Sequence, residues 1–225
     1  MFIAEIQKWI EIRFLTLTQP LCTLLASRRV HPNIVSAAGF LISAFAGVLY
    51  GVGYLFWGGI GVLLAGTCDA VDGRLARQTG HDSRLGAFID STLDRFGEIC
   101  IFSGLAWHYA GLSPAGSGQV RTGLLMVLLT VLALSGALMV SYIRARAEGL
   151  GLKCKVGLMQ RPERMFVLIV GSLAGALPIV GAAVMNITIG LLAVLTNYSA
   201  LQRIRHVYGQ LSIKETSNGP VKDVD

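Results

Sequence analysis

Four aspartates are the residues of this sequence that are best suited to do chemistry. They stand in two pairs with spacings of three and four residues, Asp69 with Asp72 and Asp90 with Asp94. On helices, each of these spacings places both carboxylates of a pair on one face. Gly73 continues the face of Asp69 by one turn, and Gly86 precedes Asp90 by one turn. A ligand could therefore approach the backbone closely beside each pair.

Carboxylates gathered in this way need compensation, because like charges a few ångströms apart repel strongly. Protonation is one remedy, and binding of divalent cations is the other. Ligation by oxygen atoms alone favours Mg²⁺ or Mn²⁺ over zinc. Two such ions held ~3.5–4 Å apart would stabilise both the attacking and the leaving oxygens of a phosphoryl transfer. The aspartates therefore predict a two-metal centre.

Arg77 adds a phosphate ligand to this interpretation. It lies on the side that continues the line from Asp69 to Gly73, and an arginine fork binds phosphate oxygens bidentately. A divalent-cation transporter is the alternative from another class of protein. It would spread its acids through the depth of the membrane and would need no phosphate-binding arginine.

The composition is that of an integral membrane protein. Of 225 residues, 53% are hydrophobic and only 14% are charged, whereas about a quarter of the residues in a soluble domain are charged. The formal net charge is +6, but the basic residues form no stripe with interleaved aromatics, so we expect no nucleic-acid partner.

The predicted fold is all-α, with six transmembrane helices in one domain over residues 1–210. Apolar runs suggest spans at about 33–53, from 54 through the first aspartates, and at about 83–110, 119–147, 162–177 and 181–205. Apolar and polar residues alternate at helical spacing before them, which predicts an interfacial amphipathic helix over about 2–27. Residues 211–225 are predicted to form a disordered polar tail.

The basic residues predict the topology. Of the 19 Lys and Arg, only Arg121 lies at the helix ends near residues 53, 115 and 180. Because cytoplasmic ends carry the excess of Lys and Arg, both termini are predicted to be cytoplasmic. The aspartates then lie near the cytoplasmic face of a bacterial inner or plasma membrane, in contact with membrane lipids.

The spacing of these residues resembles the signature of the CDP-alcohol phosphotransferase family. The matching residues are Asp69, Asp72, Gly73, Ala76, Arg77, Gly86, Asp90 and Asp94. The resemblance implies an enzyme of phospholipid synthesis, and a homodimer, that displaces CMP from CDP-diacylglycerol by attack of an acceptor hydroxyl. It implies that Asp69, Asp72 and Asp90 bind metal and that Asp94 is the general base and contacts the second ion. It also implies that Gly73, Ala76, Arg77 and Gly86 line the CDP-lipid site.

The acceptor is predicted from a second, looser resemblance. The segments SYIRARAEGLGL, RPER and QRIRH are similar to the branch of the family that uses inositol phosphate, a soluble phosphorylated polyol. The resemblance implies that the acceptor phosphate is bound by Ser141, Arg144, Arg164 and Arg203. Arg144 stands where lysine is expected, which keeps the charge and changes the geometry. Glycerol 3-phosphate, the acceptor of a phosphatidylglycerophosphate synthase, is the main alternative.

Other polar residues receive no role in the reaction from the sequence. Five basic residues are interpreted as contacts to anionic lipids or as solvated charges: Arg146, Lys153, Lys155, Arg161 and Arg205. Glu98 continues the line from Gly86 through Asp90 and Asp94 by one turn, and either orients a ligand or packs between helices. His81 is interpreted as a solvated loop residue, with an approach to the nucleotide as the alternative.

Overall fold

The computed structural model describes residue 16, residues 18–111 and residues 119–218 of the chain. Every regular element in these residues is an α-helix. Residues 18–27 form α1, and the rest of the predicted interfacial helix lies outside the described residues. The other helices are α2 (Pro32–Gly51), α3 (Leu55–Thr79), α4 (Arg84–Gly111), α5 (Gln119–Gly149), α6 (Arg161–Ala174) and α7 (Gly181–Asn218). The predicted order of helices is confirmed.

Local sequence explains where several helices begin and end. Pro32 occupies the first turn of α2, where its missing N–H costs nothing, and the Asn33 amide donates to Nδ1 of His31 at 3.2 Å. Pro162 plays the same part in the first turn of α6. Gly80 ends α3 in the left-handed conformation with φ of 69°, which a glycine adopts at no steric cost. The two acidic helices are therefore joined by a short turn, and both pack against α2.

Four of these helices are long and apolar enough to cross a membrane. They cover Pro32–Gly51, Leu55–Thr79, Thr122–Gly149 and Gly181–Ile213. α4 is long enough at 28 residues, but its first half carries charged residues at 84, 90, 94, 95 and 98. α6 has 14 residues and is about 21 Å long at ~1.5 Å per residue, less than the ~30 Å of a bilayer core. The count of six spans therefore stays a prediction.

Glycines set the register between α2 and α4. A Cβ added at Gly104 would overlap the carbonyl of Gly47, and one added at Gly47 would overlap the backbone of Cys100. The two backbones can be this close only because neither residue carries a side chain. Gly51, one turn further on, also lies near α4, since an added Cβ there would be 3.7 Å from the Gly104 carbonyl oxygen. This register fixes how α4 packs against α2.

The last helix is longer than predicted. α7 continues to Asn218, so residues 211–218 are helical where a disordered tail was expected. Val207 and Leu211 pack against a buried cluster formed by Ala147, Leu152 and Cys154. Burial of these apolar side chains stabilises another two turns of helix. Residues 219–225 lie outside the described residues.

Candidate functional site

Three of the four aspartates meet at one point between α3 and α4. Asp69, Asp72 and Asp90 each offer a carboxylate oxygen, and these oxygens lie within 4.8 Å of one another. Asp72 is only 4% exposed, and its Oδ2 accepts a hydrogen bond of 2.6 Å from the Ser36 hydroxyl on α2. Three convergent carboxylates with no nitrogen or sulfur among them form a donor set that suits Mg²⁺ or Mn²⁺.

A small pocket lies over these carboxylates. α2 contributes small residues to its wall, including Ser36, Gly39 and Ser43, and the opposite wall holds all four aspartates. Arg161, the first residue of α6, also lines it. Four carboxylates and one guanidinium leave an excess of negative charge, and such a pocket attracts cations.

Arg161 was predicted to be a lipid contact or a solvated charge, and that prediction was wrong. Its Nη1 lies 2.6 Å from Oδ2 of Asp69 and its Nη2 lies 2.6 Å from Oδ1 of Asp94. The side chain is 23% exposed. The sequence did contain a signal, because Arg161 and Arg164 are three residues apart on one helix and so share a face.

Asp94 is held apart from the other three aspartates. Arg161 pairs with its Oδ1 at 2.6 Å, and Arg95 lies 3.4 Å from its Oδ2. Its side chain is 14% exposed and faces the same pocket. Asp94 therefore lies outside the carboxylate triad and has two arginine partners, one of which, Arg161, it shares with Asp69; the sequence had paired Asp94 with Asp90.

Glu98 links the aspartates to Arg164. It is 2% exposed, and its Oε1 lies 2.7 Å from Nη2 of Arg164 and 3.8 Å from Nε of Arg161. Its Oε2 and the Arg161 Nε have no hydrogen-bond partner among the residues that the structure describes. Of the two roles considered for Glu98, orientation of side chains at the site fits these contacts, because both arginines face it.

The residues predicted to line the nucleotide site lie in the last two turns of α3 and the first turn of α4. Next to Gly73, the one side-chain atom of the described residues within 4 Å of an added Cβ is Nη1 of Arg77 at 3.6 Å, and Arg77 itself is exposed. Ala76 is half-buried on the same helix. Beside Gly86, the nearest atoms are the Ser83 hydroxyl at 3.1 Å and Oδ1 of Asn33 at 3.4 Å. The space beside both glycines is bounded by polar atoms.

His81 does not stand alone in its loop. Its ring meets that of His31 edge to face, with centroids 5.3 Å apart, and its Nδ1 lies 3.0 Å from the Thr79 hydroxyl. These contacts connect the start of α2 to the end of α3. The interpretation as a purely solvated loop histidine is therefore incomplete.

The predicted acceptor residues come from α5, α6 and α7. Arg203 is 2% exposed and donates to the carbonyls of Val156 at 2.7 Å and Val140 at 2.6 Å. Arg164 is 1% exposed and donates to the Met159 carbonyl at 3.2 Å. Arg203 interacts electrostatically with both Arg144 and Arg164. Like charges from three helices therefore meet here.

The other two members of this set are more accessible. Arg144 is exposed, and its Nε pairs with Glu148 at 2.9 Å. Ser141 is half-buried and donates to the Ala137 carbonyl at 3.3 Å. Arg164 and Arg203 are therefore buried and hydrogen-bonded to the backbone, whereas Arg144 is exposed.

Comparison with known proteins relates this site to a family. A family model for CDP-alcohol phosphatidyltransferase matches residues 29–196. A phosphatidylinositol phosphate synthase of Mycobacteroides abscessus is 35% identical over 161 residues, which are 71% of this chain and 70% of that protein. An archaetidylinositol phosphate synthase of Methanothermobacter thermautotrophicus is 38% identical over 179 residues, 80% of this chain and 84% of that protein.

Solved structures agree with these relatives. The crystal structure of Mycobacterium tuberculosis phosphatidylinositol phosphate synthase with CDP-DAG bound has a TM-score of 0.75 and 30% identity to this chain. The match covers 86% of this chain and 94% of that one. The same synthase in complex with manganese and citrate gives a TM-score of 0.74.

Proposed function

This chain belongs to the CDP-alcohol phosphatidyltransferase family, and we propose that it transfers a phosphatidyl group from CDP-diacylglycerol to a hydroxyl of inositol phosphate, releasing CMP. The observation that carries the proposal is the carboxylate triad of Asp69, Asp72 and Asp90, which faces one pocket together with Asp94. Both relatives are named for products that contain inositol phosphate, and the similar synthase structure was solved with CDP-DAG bound.

The triad, with Asp94, would bind two divalent ions, Mg²⁺ or Mn²⁺. Ions held there would supply positive charge to neutralise the diphosphate and polarise the phosphorus that is attacked. Asp94 accepts the proton of the acceptor hydroxyl, whose oxygen forms a bond to the β-phosphorus. The bond from that phosphorus to the CMP oxygen breaks, and CMP leaves. Asp94 suits the role of base because it lines the pocket outside the triad.

Residues in the last two turns of α3 and the first turn of α4 would bind the nucleotide part of the donor. Gly73 and Gly86 leave room beside the backbone, and Ala76 adds only a methyl group to the same surface. Arg77 would bind phosphate oxygens with its exposed guanidinium. The diacylglycerol chains then extend into the bilayer beside apolar helix faces.

The acceptor phosphate would be bound by Ser141, Arg144, Arg164 and Arg203. The supporting observation is the electrostatic interaction of Arg203 with Arg144 and Arg164. Arg164 and Arg144 are each paired with a glutamate, Glu98 and Glu148, whereas Arg203 is hydrogen-bonded only to backbone carbonyls among the described residues. A dianionic phosphate would add negative charge where these three arginines interact. Arg203 and Arg164 are already oriented by backbone carbonyls, so they would bind with little loss of side-chain entropy.

The same proposal includes the setting of the enzyme. We place six spans in the membrane, with an N-terminal interfacial helix and the pocket open to the cytoplasm, where inositol phosphate is soluble. Residues 1–210 form the catalytic domain, and a homodimer in a bacterial inner membrane is the expected assembly. The positive-inside distribution of Lys and Arg supports this orientation.

The acceptor is tested by a substrate panel. Purified enzyme is incubated with CDP-diacylglycerol, divalent metal and either inositol phosphate, glycerol 3-phosphate or free inositol, and radiolabelled CMP is measured. We expect CMP and phosphatidylinositol phosphate from inositol phosphate. Free inositol should give no product, because the arginines need an anionic group, and glycerol 3-phosphate should give none, because the relatives are named for inositol phosphate. If glycerol 3-phosphate gives product and inositol phosphate does not, the acceptor is wrong and the phosphotransferase assignment stands.

The acceptor site is tested at its exposed arginine. Arg144→Gln is expected to raise the KM for inositol phosphate by about tenfold, the effect of one charge-assisted hydrogen bond, with little change in the KM for CDP-diacylglycerol. Arg144→Lys keeps the charge and should retain most of the affinity. Arg146→Gln is the matched control, because Arg146 is an exposed arginine on the same helix. Equal effects from Arg144→Gln and Arg146→Gln would show that only surface charge matters.

A further inference from the structure

We propose that Arg161 is a positioning residue with two alternative partners, the Asp69–Asp94 pair and Glu98, and that the second divalent ion competes with it for Asp94. The inference rests on the proposed function, because it concerns the carboxylates that bind metal. It assigns to Arg161 and Glu98 a role in the order and strength of metal binding.

The first step is the contact that Arg161 makes. Its two terminal nitrogens each lie 2.6 Å from a carboxylate oxygen, one on Asp69 and one on Asp94. Asp69, Asp94 and Arg161 lie on α3, α4 and α6. They are far apart in the sequence, so only folding brings them into contact. A guanidinium in this position occupies lone pairs that a metal ion would use. It also repels a cation that binds through the remaining oxygens.

The second step is the asymmetry among the carboxylates. Within the triad, neither Asp72 nor Asp90 has an arginine in hydrogen-bond contact among the described residues, whereas Asp69 is paired with Arg161. Asp94 has an arginine on each oxygen, Arg161 and Arg95. An ion at the triad therefore meets no such competitor at two of its ligands, whereas an ion that uses Asp94 must displace Arg161 or bind beside it.

The third step is the alternative partner. The Arg161 Nε lies 3.8 Å from Oε1 of Glu98, too far for a hydrogen bond, and it has no hydrogen-bond partner among the described residues. Oε2 of Glu98, which is 2% exposed, also lacks one. Buried polar atoms that stay unpaired are costly. A shift of the Arg161 side chain toward Glu98 would pair both atoms and release Asp94.

The charge arrangement favours this exchange rather than loss of Arg161 to solvent. Glu98 has one full ion pair, with Arg164 at 2.7 Å, and a carboxylate can accept from two arginines through its two oxygens. In the second position Arg161 remains next to the pocket and close to Arg164, the proposed phosphate ligand. The freed Asp94 can then contact metal and accept a proton.

The test is a titration of purified full-length protein with Mn²⁺ in detergent, without CDP-lipid, followed by electron paramagnetic resonance. We expect a tight first ion and a weaker second ion in the wild type. Arg161→Gln should tighten the second ion by about tenfold, since a charge-assisted pair no longer competes. Arg95→Gln is the control, because it removes the same charge beside Asp94 and leaves the Arg161 contacts; its own contact with Asp94 is longer, 3.4 Å against 2.6 Å, so it should compete much less with the ion.

Glu98 is tested by a double-mutant cycle. Glu98→Gln should weaken the second ion, because Arg161 loses its alternative partner, and it should have no effect in the Arg161→Gln background. Unchanged or weaker second-ion binding in Arg161→Gln would overturn the proposal, as would an equal gain in Arg95→Gln. Additive effects of the two substitutions would also overturn it, since they would show that Glu98 acts by its charge alone.

Two further measurements keep the outcome decisive. Arg164 loses its partner in Glu98→Gln, so size-exclusion profiles and thermal unfolding are recorded for every variant. If that variant does not fold, Arg161→Lys replaces it: a lysine keeps the charge but cannot bridge two carboxylates, and the second-ion affinity should lie between wild type and Arg161→Gln. CMP release by the wild type is measured separately, so a failure of the proposed function is distinguishable from a failure of the exchange.

Discussion

Asp94→Asn is expected to lower CMP release by about 10²- to 10⁴-fold, the range of general acid–base catalysis. The asparagine has nearly the same shape and can still face the pocket, but its amide cannot take the proton of the acceptor hydroxyl. Because Asp94 lies outside the carboxylate triad, binding of CDP-diacylglycerol with its first ion should remain measurable. The measurement pairs single-turnover CMP release with equilibrium binding of the CDP-lipid.

Asp82→Asn is the matched control for this variant. Asp82 is an exposed aspartate in the turn between α3 and α4, so its substitution removes the same charge near the pocket without touching it. Its CMP release should stay close to that of the wild type. Full activity in Asp94→Asn would refute the general-base role. A loss of CDP-lipid binding equal to the loss of activity would assign Asp94 to donor binding instead.

Removal of divalent cations is expected to stop turnover altogether. Without them, the diphosphate of the donor would have to enter a pocket where four carboxylates face one guanidinium, and repulsion between like charges would oppose its binding. CMP release is measured after treatment with EDTA and again after excess Mg²⁺ or Mn²⁺ is added. Both ions should restore activity, because both are bound by oxygen ligands.

The matched control for chelation is enzyme treated with EDTA whose binding capacity was saturated with Mg²⁺ beforehand. It contains the same chelator and should keep full activity. An enzyme that releases CMP at an unchanged rate in excess EDTA would contradict the metal centre. Thermal unfolding recorded on the same samples separates loss of metal chemistry from loss of the fold.

The contacts of Arg161 change how such variants are interpreted. Asp94→Asn removes the base and also one of the two carboxylates that Arg161 bridges. The freed guanidinium could pair more fully with Glu98, which has an unpaired oxygen. Comparison of Asp94→Asn with Arg161→Gln therefore separates the loss of the base from the loss of the bridge, because only the first should abolish proton transfer.

The amino-acid sequence alone determined the order of the helices and the residues of the triad. Apolar runs bounded by proline, glycine and charge predicted every helix from α2 to α7, because helix formation at this length depends on local pattern. The aspartates of each pair are three or four residues apart, so their placement on a common face follows from helical geometry. The family signature lies wholly within this local stretch.

Only the tertiary structure decided which charges meet across the bundle. Arg161 contacts Asp69 and Asp94, and Arg164 contacts Glu98, over separations of 66 or more residues in the sequence. Such contacts depend on the register in which α6 packs against α3 and α4, and no local pattern encodes it. The close approach of Gly47 and Gly104 has the same origin. Spacing in the sequence identifies the carboxylates, and helix packing determines which arginines compensate them.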